Sequence, residues 1–182
     1  MTGAIWNQII ESLTEAVKQS DHPWRTGSLA TQGLDNMPRQ RTIVLREFDP
    51  DSVRLCFYTD SRSKKMVHIK EDKRVSLLLY NPKELVQLRL EGIAIKESDE
   101  KQNARRWAAI PESSRKDYIT HIAPGSEIPG PDSVEYLHDE KFFASIYIQP
   151  HKIEYLQLKR PNHLRVRYSR EGDVWNGEFL VP

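Results

Sequence analysis

Arg41-Thr-Ile-Val-Leu-Arg-Glu-Phe-Asp-Pro50-Asp-Ser-Val-Arg-Leu-Cys-Phe-Tyr-Thr59-Asp-Ser-Arg-Ser-Lys-Lys65 reads as a strand, a turn, a returning strand and the first turn of a helix. Ile43, Val44 and Leu45 run together, which predicts a strand covered on both faces. Asp49-Pro50-Asp51-Ser52 holds the residues that reverse a chain. Val53–Thr59 returns and ends in two hydroxyl side chains, Tyr58 and Thr59. Ser63 is the expected N-cap of a short helix over Lys64–Lys70. Arg41, Lys64 and Lys65 are cations that a β-hairpin does not need. A lysine in a first helical turn opposes the helix dipole by about 0.3–1 kcal/mol, so two of them ask for a compensating anion. With the free N–H groups of a helix start, that chemistry suits a phosphate. Taken one at a time, such cations are ordinarily solvated surface charge; their combination is what points to an anion.

Composition bounds the rest. At 182 residues the chain is long enough for one domain, 1–182, with a full core. Its 27 basic residues against 26 acidic ones leave no basic block, which argues against a nucleic-acid surface. No run of eighteen apolar residues and no secretory leader pattern is present, so no membrane partner is expected. The single Cys56 cannot form an intrachain disulfide and fits a reducing compartment, with the cytoplasm as the expected location.

Outward from the opening stretch, Trp6, Ile9, Ile10, Leu13 and Val17 follow helical spacing and predict an amphipathic helix serving as lid or packing element. Thr26–Gln32 and Arg39–Phe48 predict a hairpin to which Val53–Thr59 adds. Arg74–Tyr80 and Leu85–Ile95 predict two longer strands, the second bent or bulged at Gly92. Five strands with short turns suggest a small barrel. Helices are expected over Ser98–Ile110, over Pro111–His121 and near Ser133–Asp139, with Ala123–Pro131 as an irregular loop. The chain then returns to strands at Phe143–Gln149, His151–Gln157, His163–Tyr168 and Val174–Val181. The fold class is mainly β, a β-barrel with peripheral helices.

Catalytic signatures are absent. The six histidines form no i, i+4 pair and no HExxH, so no metal site is expected. There is no GxSxG elbow, no GxxxxGK[ST] loop and no GxGxxG after a strand. Any reaction then belongs to a bound cofactor, with the protein supplying orientation and charge.

The order RTIVLREF, FYT, SKK and then Gln87 within VQLRLEG resembles the flavin-binding core of pyridoxamine 5′-phosphate oxidase and its relatives, the FMN-binding split-barrel proteins. The resemblance spans about Leu29 to Ile95, with an echo near the C-terminus. It implies FMN as cofactor, held by Arg41, by the strand through Thr42, Ile43 and Val44, and by Tyr58, Thr59, Ser63, Lys64 and Lys65. Gln87 would face the isoalloxazine ring and Arg167 would face the flavin. It also implies a homodimer with the flavin at the subunit interface and an unknown small molecule as substrate, so that the side chains bind and the flavin reacts; no catalytic residue is assigned. Lys64 stands where arginine is more usual in the family, replacing a fork with a point charge. The oxidase segment Arg-Leu-His-Asp-Arg appears as His163-Leu-Arg-Val-Arg167, and its upstream tryptophan as Leu156. Vitamin B6 oxidation is therefore not assigned. The expected function is an FMN-dependent oxidoreductase, with a flavin carrier or sensor and a diverged oxidase as the alternatives.

Overall fold

Alternating burial along the strands sets which side chains fill the interior. In the computed structural model, which describes residues 1–182, the strands are β1 (Thr26–Gln32), β2 (Pro38–Asp49), β3 (Arg54–Asp60), β4 (Arg74–Asn81), β5 (Val86–Lys96), β6 (Phe143–Gln157), β7 (Leu164–Glu171) and β8 (Val174–Phe179). They pair antiparallel in the order β3-β2-β1-β4-β5-β6-β7-β8, and β3 also pairs with β6. That second pairing closes β1 to β6 into a barrel and removes two open edges. Leu29, Ile43, Leu45, Leu55, Phe57, Leu77, Leu79, Leu88, Leu90, Ile146 and Ile153 point inward and form its core.

Strand β6 does two jobs. Its first half, Phe143–Ile148, pairs with β3, and its second half, Lys152–Gln157, carries β7 and then β8. The sequence predicts two strands broken at Pro150, whereas the structure has one. Pro150 falls opposite Gly92, where the β5–β6 register shifts by a bulge, so the missing N–H costs no ladder bond. Gly92 is required there, because a Cβ would collide with the Gln149 carbonyl oxygen.

Helix α1 (Thr2–Ala16) is a packing element, burying Ile9, Leu13 and Ala16. Its Trp6 packs at a tilt against Tyr168 and Trp175, and the Tyr168 hydroxyl donates to the Thr2 carbonyl at 2.7 Å. Helix α2 (Lys64–Glu71) lies against β1, and α3 (Glu100–Ala109) against β6. Asp99 caps α3 by accepting from the Lys101 and Gln102 amides. No helix is long and apolar enough to cross a membrane.

Three local expectations are corrected. The helix expected over Pro111–His121 is only the single turn α4 (Glu112–Arg115) and a 3₁₀ turn, Lys116–Tyr118. Tyr118 is drawn into an aromatic cluster with Trp107 and Phe143, which stops the helix. The helix expected near Ser133–Asp139 is reduced to a 3₁₀ turn, Pro131–Ser133, and no helix follows it. The chain is extended there, with the His121 amide donating to the Glu135 carbonyl and the Leu137 amide to the Ile119 carbonyl. Finally, Val44 is only half-buried and Thr42 is exposed, so within one chain β2 is covered on one face only.

Candidate cofactor site

Register places Arg41 opposite Leu29, and directly opposed residues share a face, so its side chain rises at the rim of the barrel interior. Arg41 Nη1 donates to the Leu29 carbonyl at 3.1 Å and to Thr31 Oγ1 at 2.7 Å. Thr59 shares the inward face of β3 with Leu55 and Phe57. Ser63 is the N-cap residue of α2, yet its hydroxyl does not cap the helix. It lies 3.2 Å from Thr59 Oγ1 and accepts from Lys65 Nζ at 3.2 Å, while Lys65 also donates to Thr59 Oγ1 at 2.8 Å. Lys64 is exposed, and with Arg39, Gln40, Arg41 and His68 it lines a depression of about 520 Å³.

The cradle is mainly positive, although Asp35 also lines the depression and Asp60 acts on Lys65 from a distance. Arg41, Lys64 and Lys65 take part in no ion pair, whereas Arg39 is paired with Asp35 at 2.7 Å. Burial, and after it the charge of Arg41, lowers the proton affinity of Lys65; burial does the same to Arg41. Hydroxyls and a carbonyl solvate these cations without neutralising them.

The other expected site residues lie elsewhere on the barrel. Thr42 and Val44 point outward from β2, while Ile43 is a core residue whose backbone alone can reach a ligand. Gln87 is on the outer face of β5, between Tyr80 and Leu156. Arg167 projects outward from β7 and pairs with Glu178 at 2.7 Å. Tyr58 points away from the cradle. Its hydroxyl donates to Glu47 Oε1 at 2.9 Å and its ring packs edge-on against Phe143.

A second polar cluster occupies that opposite face. The Arg106 guanidinium, buried at 8% exposure, donates to both Glu47 oxygens at 2.7 and 2.8 Å. It also donates to Glu97, Ser145 and the Tyr147 hydroxyl. Sequence reading missed this network, because its members lie on four separated segments. It also missed Thr31 and His68 behind Arg41, although the i, i+4 spacing of Lys64 and His68 puts both on one helix face.

A split barrel with a positively charged, un-neutralised cradle at one rim defines a class of protein that holds a phosphate-bearing ligand. Residues 3–96 match the family described as pyridoxamine 5′-phosphate oxidase, FMN-binding domain, and the chain belongs to that family. Its cofactor is FMN. The residues fit that molecule: its phosphate approaches a dianion near neutral pH and would supply a counter-charge to Arg41, Lys64 and Lys65. The chain is 29% identical over 175 residues to a pyridoxine/pyridoxamine 5′-phosphate oxidase of Rubrobacter xylanophilus, covering 85% of this chain and 76% of that one. It is 28% identical over 195 residues to pyridoxine/pyridoxamine 5′-phosphate oxidase 2 of Arabidopsis thaliana, covering 98% of each. Among solved structures it is similar to a pyridoxamine 5′-phosphate oxidase-related FMN-binding protein of Nostoc punctiforme, with TM-score 0.80, 24% identity and 97% of both chains covered. PhzG of Burkholderia lata, solved with tetrahydrophenazine-1-carboxylic acid, gives TM-score 0.79 at 22% identity, covering 97% of this chain and 91% of that one.

Proposed function

We propose that this flavoprotein is a homodimeric oxidoreductase acting on a small molecule. The single observation that carries the cofactor's placement is that the partly buried cations Arg41 and Lys65 have hydroxyl partners and no carboxylate within ion-pair distance. Arg41, Lys64, Lys65, Thr59 and Ser63 hold the phosphate, helped by the N–H groups at the start of α2. The backbone of Thr42, Ile43 and Val44 and the Gln87 amide orient the ring. Tyr58 contributes through its backbone, its side chain being committed to Glu47. When bound, FMN supplies hydride or electron transfer; the side chains orient it and exclude water.

Register supports the dimer. Thr42, Ser28, Leu78, Arg89, Glu154 and Arg167 are opposed in turn across the outer face. Arg167 thus stands five strand spacings from Thr42 by this route, a path on the order of 24 Å along the curved sheet and longer than their separation through space. In the proposed dimer a flavin held in the cradle meets the Arg167 of a second copy packed on this outer face. The same face exposes Leu78 at 38% and Tyr80 at 47%, an apolar surface suited to burial against that copy.

Diverged vitamin B6 oxidation is the second reading, favoured by the similarity to curated oxidases. Against it, Arg165 in the His163–Arg167 segment is held at 2.8 Å by Glu154, which also binds Arg89. An absorption spectrum of the purified protein tests cofactor binding, and elution volume tests the dimer. Anaerobic mixing with NADH, NADPH or pyridoxamine 5′-phosphate then tests turnover. A protein that neither carries flavin nor binds added FMN ends the proposal. Flavin that no donor reduces makes the chain a carrier or sensor.

A further inference from the structure

Behind the cradle, Arg41 is braced by two residues that no role assigned above uses. Arg41 Nη1 donates to Thr31 Oγ1 at 2.7 Å, and the same oxygen lies 3.0 Å from His68 Nδ1. A guanidinium has no acceptor, so Thr31 Oγ1 accepts from Arg41. Thr31 is buried at 3% exposure, and these are the hydrogen-bond neighbours of its hydroxyl. Its hydrogen therefore goes to the Nδ1 lone pair, since a hydrogen on Nδ1 would leave a buried O–H without an acceptor. The satisfied arrangement is a directed chain from Arg41 to Thr31 to His68, with the imidazole hydrogen on Nε2. The surroundings keep the ring neutral: burial, then Arg41, Arg39 and Lys64, lower its proton affinity, against Asp35 alone in the other direction.

We propose that His68 is a positioning residue for the cofactor phosphate, fixing the Arg41 guanidinium in the cradle through the Thr31 hydroxyl. Thr31 sits on β1 and His68 on α2, so the chain ties the helix that carries Lys64 and Lys65 to the strand that orients Arg41. The three phosphate-binding side chains are thereby held in one geometry before the ligand arrives. This inference rests on the cradle being the phosphate site.

The experiment titrates apo-protein with FMN and with riboflavin, which lacks the phosphate, following flavin fluorescence. His68→Leu is expected to weaken FMN binding about fivefold, the equivalent of one neutral hydrogen bond, and to leave riboflavin binding unchanged. His68→Asn puts an acceptor oxygen where Nδ1 stands and restores FMN affinity to within about twofold of wild type. In a Thr31→Val background, His68→Leu adds no further loss. Imidazole ¹⁵N shifts of the unsubstituted apo-protein report the Nε2–H tautomer for His68. An Nδ1–H tautomer, or an Asn variant as weak as the Leu variant, overturns the inference. If Arg41→Ala weakens FMN binding and His68→Leu does not, this inference alone falls. If neither substitution affects FMN, the phosphate reading falls with it.

Discussion

Arg106 is answered by two carboxylates; Lys65 and Arg41 are answered by none within ion-pair distance. Both clusters are partly buried and both are fixed to β3, one on each of its faces. Arg106 sits between Glu47 and Glu97, and its hydrogen bonds to Glu47 hold it more firmly protonated than a free arginine. Burial alone would raise the Glu47 carboxyl, but hydrogen bonds from Arg106 and Tyr58 outweigh it and hold the group below its usual range. Glu47 and Glu97 neutralise Arg106 without a ligand, and the cluster anchors α3 to the barrel. Lys65 and Arg41 are instead stripped of water without gaining a counter-ion, an arrangement that destabilises the empty protein and favours an anion. A neutralised network is architecture; an un-neutralised one calls for an anion.

Substitutions can break this comparison. The largest effect is expected from Arg106→Met, which leaves Glu47 and Glu97 facing each other and should lower unfolding free energy by about 3 kcal/mol in denaturant titration. The variant also tests a pH dependence. Because the folded-state Glu47 value is depressed, its contribution to stability is present above the unfolded value of about 4.3 and is lost as pH falls through the folded value. Wild type should show that acid loss, and Arg106→Met should lack it.

Next, Arg41→Ala should weaken FMN affinity by about 1.5–3 kcal/mol, the range for a hydrogen bond to a charged group, while riboflavin affinity holds. Unchanged FMN affinity would move the phosphate elsewhere. Lys65→Met sharpens the comparison, since it removes an uncompensated cation. Apo-protein should melt higher, by about 0.5–1 kcal/mol after allowance for solvent screening, while the stabilisation given by added FMN shrinks. The smallest effect is expected at Cys56. Burial, and then the Glu47 charge, push its thiol up to about 12. Iodoacetamide at pH 8 should leave the folded protein unmodified and label it only after denaturation.

Local pattern carried much of the architecture. Continuous apolar runs and turn residues placed β1 to β5 to within a few residues, and Gly92 marked the bulge at which β5 bends. Between Pro111 and Asp139 local propensity misled, because Tyr118 and the extended pairing of 119–121 with 135–137 answer to contacts made by distant residues. At the site, Arg41, Thr59, Ser63, Lys64 and Lys65 were legible as a group of charges and hydroxyls flanking one hairpin, and the structure brings them together. Tyr58 was legible only as half of a Tyr-Thr pair. Adjacent residues of a strand point to opposite faces, so the pair divides between the cradle and the Arg106 network.

By itself the sequence determined that Arg41, Lys64 and Lys65 gather beside β2 and α2, because spacing along one hairpin and one helical turn is enough to bring those cations together. Only the tertiary structure decided which charges are already spent. Arg106 and Arg41 are the same residue type, and the carboxylates that answer one and not the other come from segments far apart in the chain. Their convergence depends on barrel closure through β3 and β6, a non-local pairing that no window of the sequence contains.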